Sequence, residues 1–282
     1  MLQSMTGFGK AVVELPGKKV VVELRSLNSK NLDLYLRLPS YFKEKEAEIR
    51  RMVSVSLQRG KISLNMTVEA GEEALIRINT DIVKSYIEQL KNIAPSTDYL
   101  RIAMRLPDSV SNFDEEIPGD EWMAVREGIE SAIGKLIEFR LAEGEVLRDD
   151  FLKRTTLIRR ALTQVGELTP LRMERIKERL HKALEDFKIQ VDENRYEQEM
   201  IYYLERLDIT EEQVRLENHL NQFEKTLMSE ASQGKKLGFI VQEMGREINT
   251  IGSKANFAPI QNEVVGMKDE LEKIKEQLLN IL

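Results

Sequence analysis

The residues best suited to chemistry lie between Asp208 and Lys254. On a helix, Asp208, Glu212, Arg215 and His219 fall on one stripe, because steps of four, three and four return to the same face. An apolar stripe of Ile209, Leu216, Leu220, Phe223 and Leu227 runs about 60° beside it, so the polar groups flank a core instead of facing open water. A second helix, around Leu237–Ile251, carries Glu243, Glu247 and Thr250 on one side and Leu237, Val241, Met244, Ile248 and Ile251 on another. Packed by their apolar stripes, the two helices would bring Glu212 and His219 toward Glu243 and Glu247, a carboxylate and imidazole set suited to Mn²⁺ or Mg²⁺. An ion there could activate water and neutralise charge on a phosphodiester, with Arg215, Arg246 or Lys254 clamping the phosphate. The same spacings also make ordinary side-chain ion pairs on a helix surface, and the pattern alone leaves both readings open.

Other chemistries are excluded by what the chain lacks. It has no cysteine and only two histidines, so thiolate zinc sites, disulfides, a cysteine nucleophile and histidine cages are all ruled out. The Glu-x-x-His spacing of di-iron bundles is missing too, since Leu216 stands three residues before His219. His181, on a basic helix within Arg172–Lys188, is expected at the surface.

The elements that must position these groups can be read from periodicity and punctuation. Five of the seven prolines precede residue 119, so long helices are easier to build after that point. Before it, Val20, Val22 and Leu24 alternate with Val21, Glu23 and Arg25. The same alternation runs through Leu34, Leu36 and Leu38, and then through Ile62, Leu64, Met66 and Val68. Period-two patterning predicts three strands, most simply of an antiparallel sheet, with a turn at Asn28–Asn31. Helices are predicted over Tyr41–Leu57 and Asp81–Ile93. Ala94–Asp120 reads as a connector with the acidic group Asp114-Glu115-Glu116, and Tyr99–Leu106 within it as a strand or short helix. Beyond it, Trp122, Val125, Ile129, Ala132 or Ile133, and Leu136 follow helical spacing. Val264, Met267, Leu271, Ile274, Leu278 and Ile281 form a narrow helix-pairing seam, suited to an intramolecular hairpin or to self-association. The fold class is α+β: a mostly antiparallel sheet with helices, then an extended all-helical region. The expected division is 1–155 and 156–282.

Length and charge set the remaining bounds. The 282 residues, 41% of them hydrophobic, can supply a sizeable core. The net charge of −6 argues against an overall nucleic-acid coat. Residues 1–70 nevertheless hold 12 Lys and Arg against 7 Asp and Glu, so the sheet half is basic. Arg25 and Arg37 on the wet strand faces, with Arg59 and Lys61 flanking Gly60, could hold phosphates, or simply solvate a surface. No apolar run approaches the roughly 18 residues that span a bilayer. With no cysteine to protect, the cytoplasm is the expected compartment.

Several blocks carry a resemblance. Ser4-Met5-Thr6-Gly7-Phe8-Gly9, Glu23-Leu24-Arg25-Ser26-Leu27-Asn28, Leu36-Arg37-Leu38-Pro39 and Arg59-Gly60-Lys61 open the chain. Arg140-Leu141-Ala142-Glu143-Gly144 and Asn194-Arg195-Tyr196-Glu197-Gln198-Glu199 follow. The carboxy-terminal half adds Asp208-Ile209-Thr210-Glu211-Glu212, Arg215-Leu216, His219-Leu220, Gln242-Glu243-Met244, Arg246-Glu247, Asn249-Thr250 and Ser253-Lys254. In this order the blocks resemble the YicC/YloC family over nearly the whole chain, with Ala70–Asp120 contributing little.

The resemblance implies a bacterial cytoplasmic endoribonuclease that uses a divalent metal, Mn²⁺ in the first instance, and assembles as a homo-oligomer, a hexamer enclosing RNA. Carried over by position, Asp208, Glu211, Glu212 and His219 match its first helical block, and Glu243 and Glu247 its second. On that basis Glu212, His219, Glu243 and Glu247, with Asp208 beside them, are expected to hold or organise the metal. Arg215, Arg246 and Lys254 are expected on the scissile phosphate, and Arg25, Arg37, Arg59 and Lys61 along the RNA strand. The alternative from a different class is a non-catalytic oligomeric RNA-binding or adaptor protein, in which the carboxylates only brace helices.

Overall fold

The computed structural model describes residues 2–57, 59–70, 76–93, 98–112, 117–186, 193–229 and 233–282. The acidic group Asp114–Glu116 lies outside the described residues. The chain divides into two compact units, one of Thr6–Phe139 and one of Arg140–Leu282 together with the N-terminal residues as far as Met5.

In the first unit the alternating segments form strands. β1 (Gly7–Leu15), β2 (Lys18–Leu27), β3 (Leu32–Arg37) and β4 (Gly60–Ala70) make one sheet in the order β1-β2-β4-β3. β2 pairs antiparallel with both β1 and β4. β3 pairs parallel with β4, which departs from the simple antiparallel account. A parallel neighbour needs a crossover connection, and the predicted Tyr41–Leu57 helix supplies it, as a 3-10 turn (Ser40–Lys45) followed by α1 (Glu46–Ser56).

The inward strand residues, Val20, Val22, Leu24, Ile62, Leu64 and Met66, pack against Phe42, Ile49 and Val53, and against Trp122, Val125, Ile129 and Leu136 of α4 (Gly119–Asp186). α4 approaches β1 closely, because a Cβ at Gly9 would overlap the Ala132 carbonyl oxygen and one at Gly128 would overlap Val13. The outward face carries Phe8, Lys10, Glu23, Arg25, Tyr35, Arg37, Lys61 and Ser63. A smaller pair, β5 (Ile76–Ile78) with β6 (Val110–Asn112), accompanies α2 (Thr80–Ile93) and α3 (Tyr99–Ala103), so the expected connector holds a helix and a strand of its own.

The second unit is helical. α5 (Glu193–Leu207) precedes α6 (Thr210–Leu227), α7 (Gly234–Lys254) and α8 (Ala258–Leu278). α6, α7, α8 and the later part of α4 share one core, which includes Phe151, Ile158, Leu216, Phe223, Met244, Ile248, Val264 and Leu271. Ion pairs fix the register: Arg154 of α4 meets Glu270 of α8 at 3.0 Å, and Arg159 meets Glu217 and Glu224 of α6. Arg172 meets the C-terminal end of α7. α4 therefore runs antiparallel to α6 and α8, and α7 antiparallel to both of them, a four-helix arrangement with antiparallel neighbours. The α8 seam, with Val264, Met267, Leu271, Ile274 and Ile281 buried, is spent inside its own chain. The N-terminal residues join this unit: Met5 N–H donates to the Asn280 carbonyl at 2.8 Å and Leu282 N–H to that of Gln3 at 3.1 Å. Among the described residues no helix is long and apolar enough to cross a membrane.

Candidate functional site in the helical unit

The α6–α7 hairpin is built by the two apolar stripes read from the sequence. Ile209, Leu216, Leu220, Phe223 and Leu227 on one helix, and Leu237, Val241, Met244, Ile248 and Ile251 on the other, are all buried. Because Glu212 and Glu247 border those stripes, packing draws them in: their exposures are 6% and 8%. Glu243 and His219 are partly exposed, and Asp208 is exposed.

At the mouth of the hairpin, Lys254 Nζ donates to Glu212 Oε1 at 2.8 Å and to the Asp208 carbonyl at 3.0 Å. Glu212 Oε2 is buried and has no hydrogen-bond partner. Asp208 closes the turn that leads into α6: its Oδ1 accepts from the Thr210 hydroxyl at 2.7 Å and from the Thr210 N–H at 3.1 Å. The Thr210 hydroxyl, more than anything else, holds the Asp208 carboxyl below the usual carboxylate range. Beneath them lies Arg172, only 1% exposed, whose Nη2 donates to the Leu207 carbonyl at 2.9 Å and to the Lys254 carbonyl at 2.7 Å. Its Nε and Nη1 are buried without partners, and burial lowers its pKa. Sequence reasoning passed over Arg172, which sits in a run of charged residues resembling a solvated face. His181, in the same run, is exposed as expected.

Two turns into the hairpin the candidates change character. Glu247 is seven residues before Lys254 and His219 seven after Glu212, and the helices are antiparallel, so these two groups stand at one level, about 10 Å from the mouth at 1.5 Å per residue. Among the described residues neither makes a hydrogen bond or ion pair. Glu243 Oε1 instead accepts from Arg246 Nη1 at 2.8 Å, and Arg215 pairs with Glu211. Both arginines lie on the exposed side of their helices.

These facts decide how a divalent ion fits. Of the five expected ligands, Asp208 is bonded to Thr210, Glu212 is clamped by Lys254 and Glu243 is paired with Arg246. Among the described residues no three acidic or histidine side chains converge on one point, so one chain does not build a complete cage. Glu247 and His219 remain as uncommitted donors. One carboxylate and one imidazole fit an ion of the Mg²⁺ or Mn²⁺ type, which completes its shell with water and substrate phosphate.

The basic residues of the first unit form a separate group. Arg25, Arg37 and Lys61 share the outward sheet face, whereas Arg59 Nε donates to the Ser29 carbonyl at 3.2 Å and so secures the turn before β3.

Comparison with known proteins covers the chain from end to end. Residues 2–149 match the N-terminal region of the endoribonuclease YicC-like family and residues 165–282 match its C-terminal part. The chain therefore belongs to the endoribonuclease YicC-like family. A protein of Clostridioides difficile (strain 630) called "Probable endoribonuclease YicC" is 33% identical over 293 residues, with 100% of both chains covered. One of the same name from Haemophilus influenzae (strain ATCC 51907 / DSM 11121 / KW20 / Rd) is 30% identical over 291 residues, again with 100% of both covered.

Proposed function

We propose that the chain is an endoribonuclease that cuts RNA phosphodiester bonds with a divalent ion, Mn²⁺ or Mg²⁺, in the bacterial cytoplasm, acting as a homo-oligomer of six chains. The observation that carries this reading is Glu247, a largely buried residue whose carboxylate makes no hydrogen bond or ion pair among the described residues and stands at the level of His219, in a chain that matches the family along both halves. A carboxylate with no partner in its own chain can take a divalent cation without first breaking an ion pair.

Glu247 and His219 would hold the ion, with its other positions left to water, to phosphate oxygens of the RNA and to any donor from a neighbouring chain. Bound there, the ion would supply a water acidic enough to give hydroxide near neutral pH. Arg215 and Arg246 would grip the phosphate. Their present pairs with Glu211 and Glu243 are exposed i,i+4 and i,i+3 contacts, each worth at most about 1 kcal/mol, so a phosphate displaces them readily. Lys254 would set the hairpin mouth by clamping Glu212. Attack by water on phosphorus breaks the bond to the 3′ oxygen and leaves a 5′-phosphate and a 3′-hydroxyl. Attack by the RNA's own 2′-hydroxyl breaks the bond to the 5′ oxygen instead and leaves a 2′,3′-cyclic phosphate and a 5′-hydroxyl, so product end groups decide between the two.

The second reading, a non-catalytic RNA-binding or adaptor assembly, is favoured by one observation: Asp208, Glu212 and Glu243 are all engaged within their own chain. Incubation of purified protein with labelled RNA, with Mn²⁺ and with chelator, separates the two. The nuclease reading expects cleavage that stops with chelator; no cleavage under any divalent metal favours the adaptor.

A further inference from the structure

We propose that the outward face of the four-stranded sheet is a stacking platform for the bases of single-stranded RNA, with Phe8 and Tyr35 as its two rings. This rests on the reading that RNA is the ligand, and adds a site remote in sequence from the α6–α7 hairpin together with a preference for unpaired strands.

Register puts the parts in order. Phe8 pairs with Arg25, Arg25 with Ser63, and Ser63 with Tyr35, so these four side chains form one row across all four strands. With strands about 4.8 Å apart, the two aromatic positions are separated by about 14 Å, too far for one base to touch both and suited to two stacking positions. Both rings project into solvent, Phe8 at 40% and Tyr35 at 60% exposure. Each is already matched to a cation: Arg25 lies 5.7 Å from the Phe8 centroid and Lys61 5.4 Å from that of Tyr35. An exposed ring beside a cation offers a face for any base and a charge for the phosphate next to it.

The adjacent row is Lys10, Glu23, Asn65 and Arg37. Its acid is neutralised in place, because Glu23 takes Lys10 at 2.9 Å and Arg25 at 3.7 Å. A shallow hollow of about 500 Å³ lies between Glu23, Arg25, Tyr35, Arg37, Ser63 and Asn65, room enough for a nucleobase. Asn65 Oδ1 is shielded from solvent and has no hydrogen-bond partner. A turn of the Asn65 side chain would bring that acceptor to the hollow, where a base amino group could satisfy it. Cations spaced among two isolated rings complement a polyanion better than the apolar core of a second protein chain. Duplex RNA is a poor occupant, because its bases are already stacked on one another.

The test uses the full chain, chelator to suppress cleavage, and two fluorescent probes: a 12-nucleotide oligo(A) and a fully paired RNA duplex. Tyr35→Ala and Phe8→Ala are each expected to weaken oligo(A) binding roughly 5- to 100-fold with an unchanged salt slope and unchanged duplex binding. Tyr35→Phe should bind as the parent does. Lys61→Ala should instead flatten the salt slope by about one contact. Oligo(A) affinity untouched by Tyr35→Ala in a folded protein overturns the platform, as does a change in sedimentation on the same substitution, which would make the face a contact between copies. The two readings fail separately. A parent that cleaves RNA while Tyr35→Ala binds normally loses only the platform; one that binds through these rings yet never cleaves loses only the nuclease.

Discussion

Lys254 and Glu212 tie the end of α7 to the start of α6: the ammonium donates to Glu212 Oε1 at 2.8 Å, and the other oxygen of that carboxylate is buried with no partner. The pair spans 42 residues of chain and fixes the register that sets Glu247 level with His219.

Removing the cation should therefore cost more than removing the charge it serves. Lys254→Met leaves a carboxylate that is 6% exposed with neither oxygen matched, a loss of about 2 kcal/mol once the partial exposure of Lys254 is allowed for. Glu212→Gln, and the double variant, should lose less. Urea denaturation of the three variants checks this, and equal losses for Lys254→Met and the double variant would remove the coupling.

Asp208 predicts a pH dependence. Its carboxyl is held below the usual range by Thr210, so the ionised form is favoured in the folded chain. Its contribution is then fully present above the unfolded value of about 3.9 and is lost as pH falls through the lower folded value. Asp208→Ala should lose about 1 kcal/mol at pH 7, the usual net worth of an intramolecular hydrogen bond, and the gap from the parent should close in strong acid. A gap of constant size from pH 7 to pH 2, read by urea denaturation, contradicts this.

Gly9 makes a sharper packing prediction. Gly9→Ala drives a methyl into the Ala132 carbonyl and should lower stability by about 1–3 kcal/mol. Gly134→Ala, two residues along α4 from Ala132 and with open space around its Cβ, should raise stability by about 0.5–1 kcal/mol through helix propensity. Thermal melts of the two variants should move in opposite directions.

The strands and helices were readable in unequal measure, for physical reasons. β2, β3 and β4 show period-two alternation because their inward residues are Val, Leu, Ile and Met. β1 hides it, since two of its inward positions are Gly9 and Ala11, kept small by the approach of α4. The parallel pairing of β3 with β4 left no trace, because alternation of faces is the same in either direction. In the hairpin, the nearness of Glu212 and Glu247 to an apolar stripe announced their burial. The partner of Glu212 could not be read that way, since Lys254 lies 42 residues away, and Arg172 looks like any cation in a charged run until α5 and α7 end upon it. The seam of α8 was ambiguous for a similar reason, as an apolar stripe does not say whose helix will cover it.

The most direct test is the rate of Mn²⁺-dependent RNA cleavage by Glu247→Gln, set beside Glu211→Gln on the exposed start of α6, with circular dichroism confirming that both remain folded. We predict at least a 100-fold loss for Glu247→Gln, on the order of what removal of an ion ligand or its support costs, and near-parental cleavage for Glu211→Gln. Parental cleavage by Glu247→Gln would contradict a reaction centre built on the His219–Glu247 level of the hairpin.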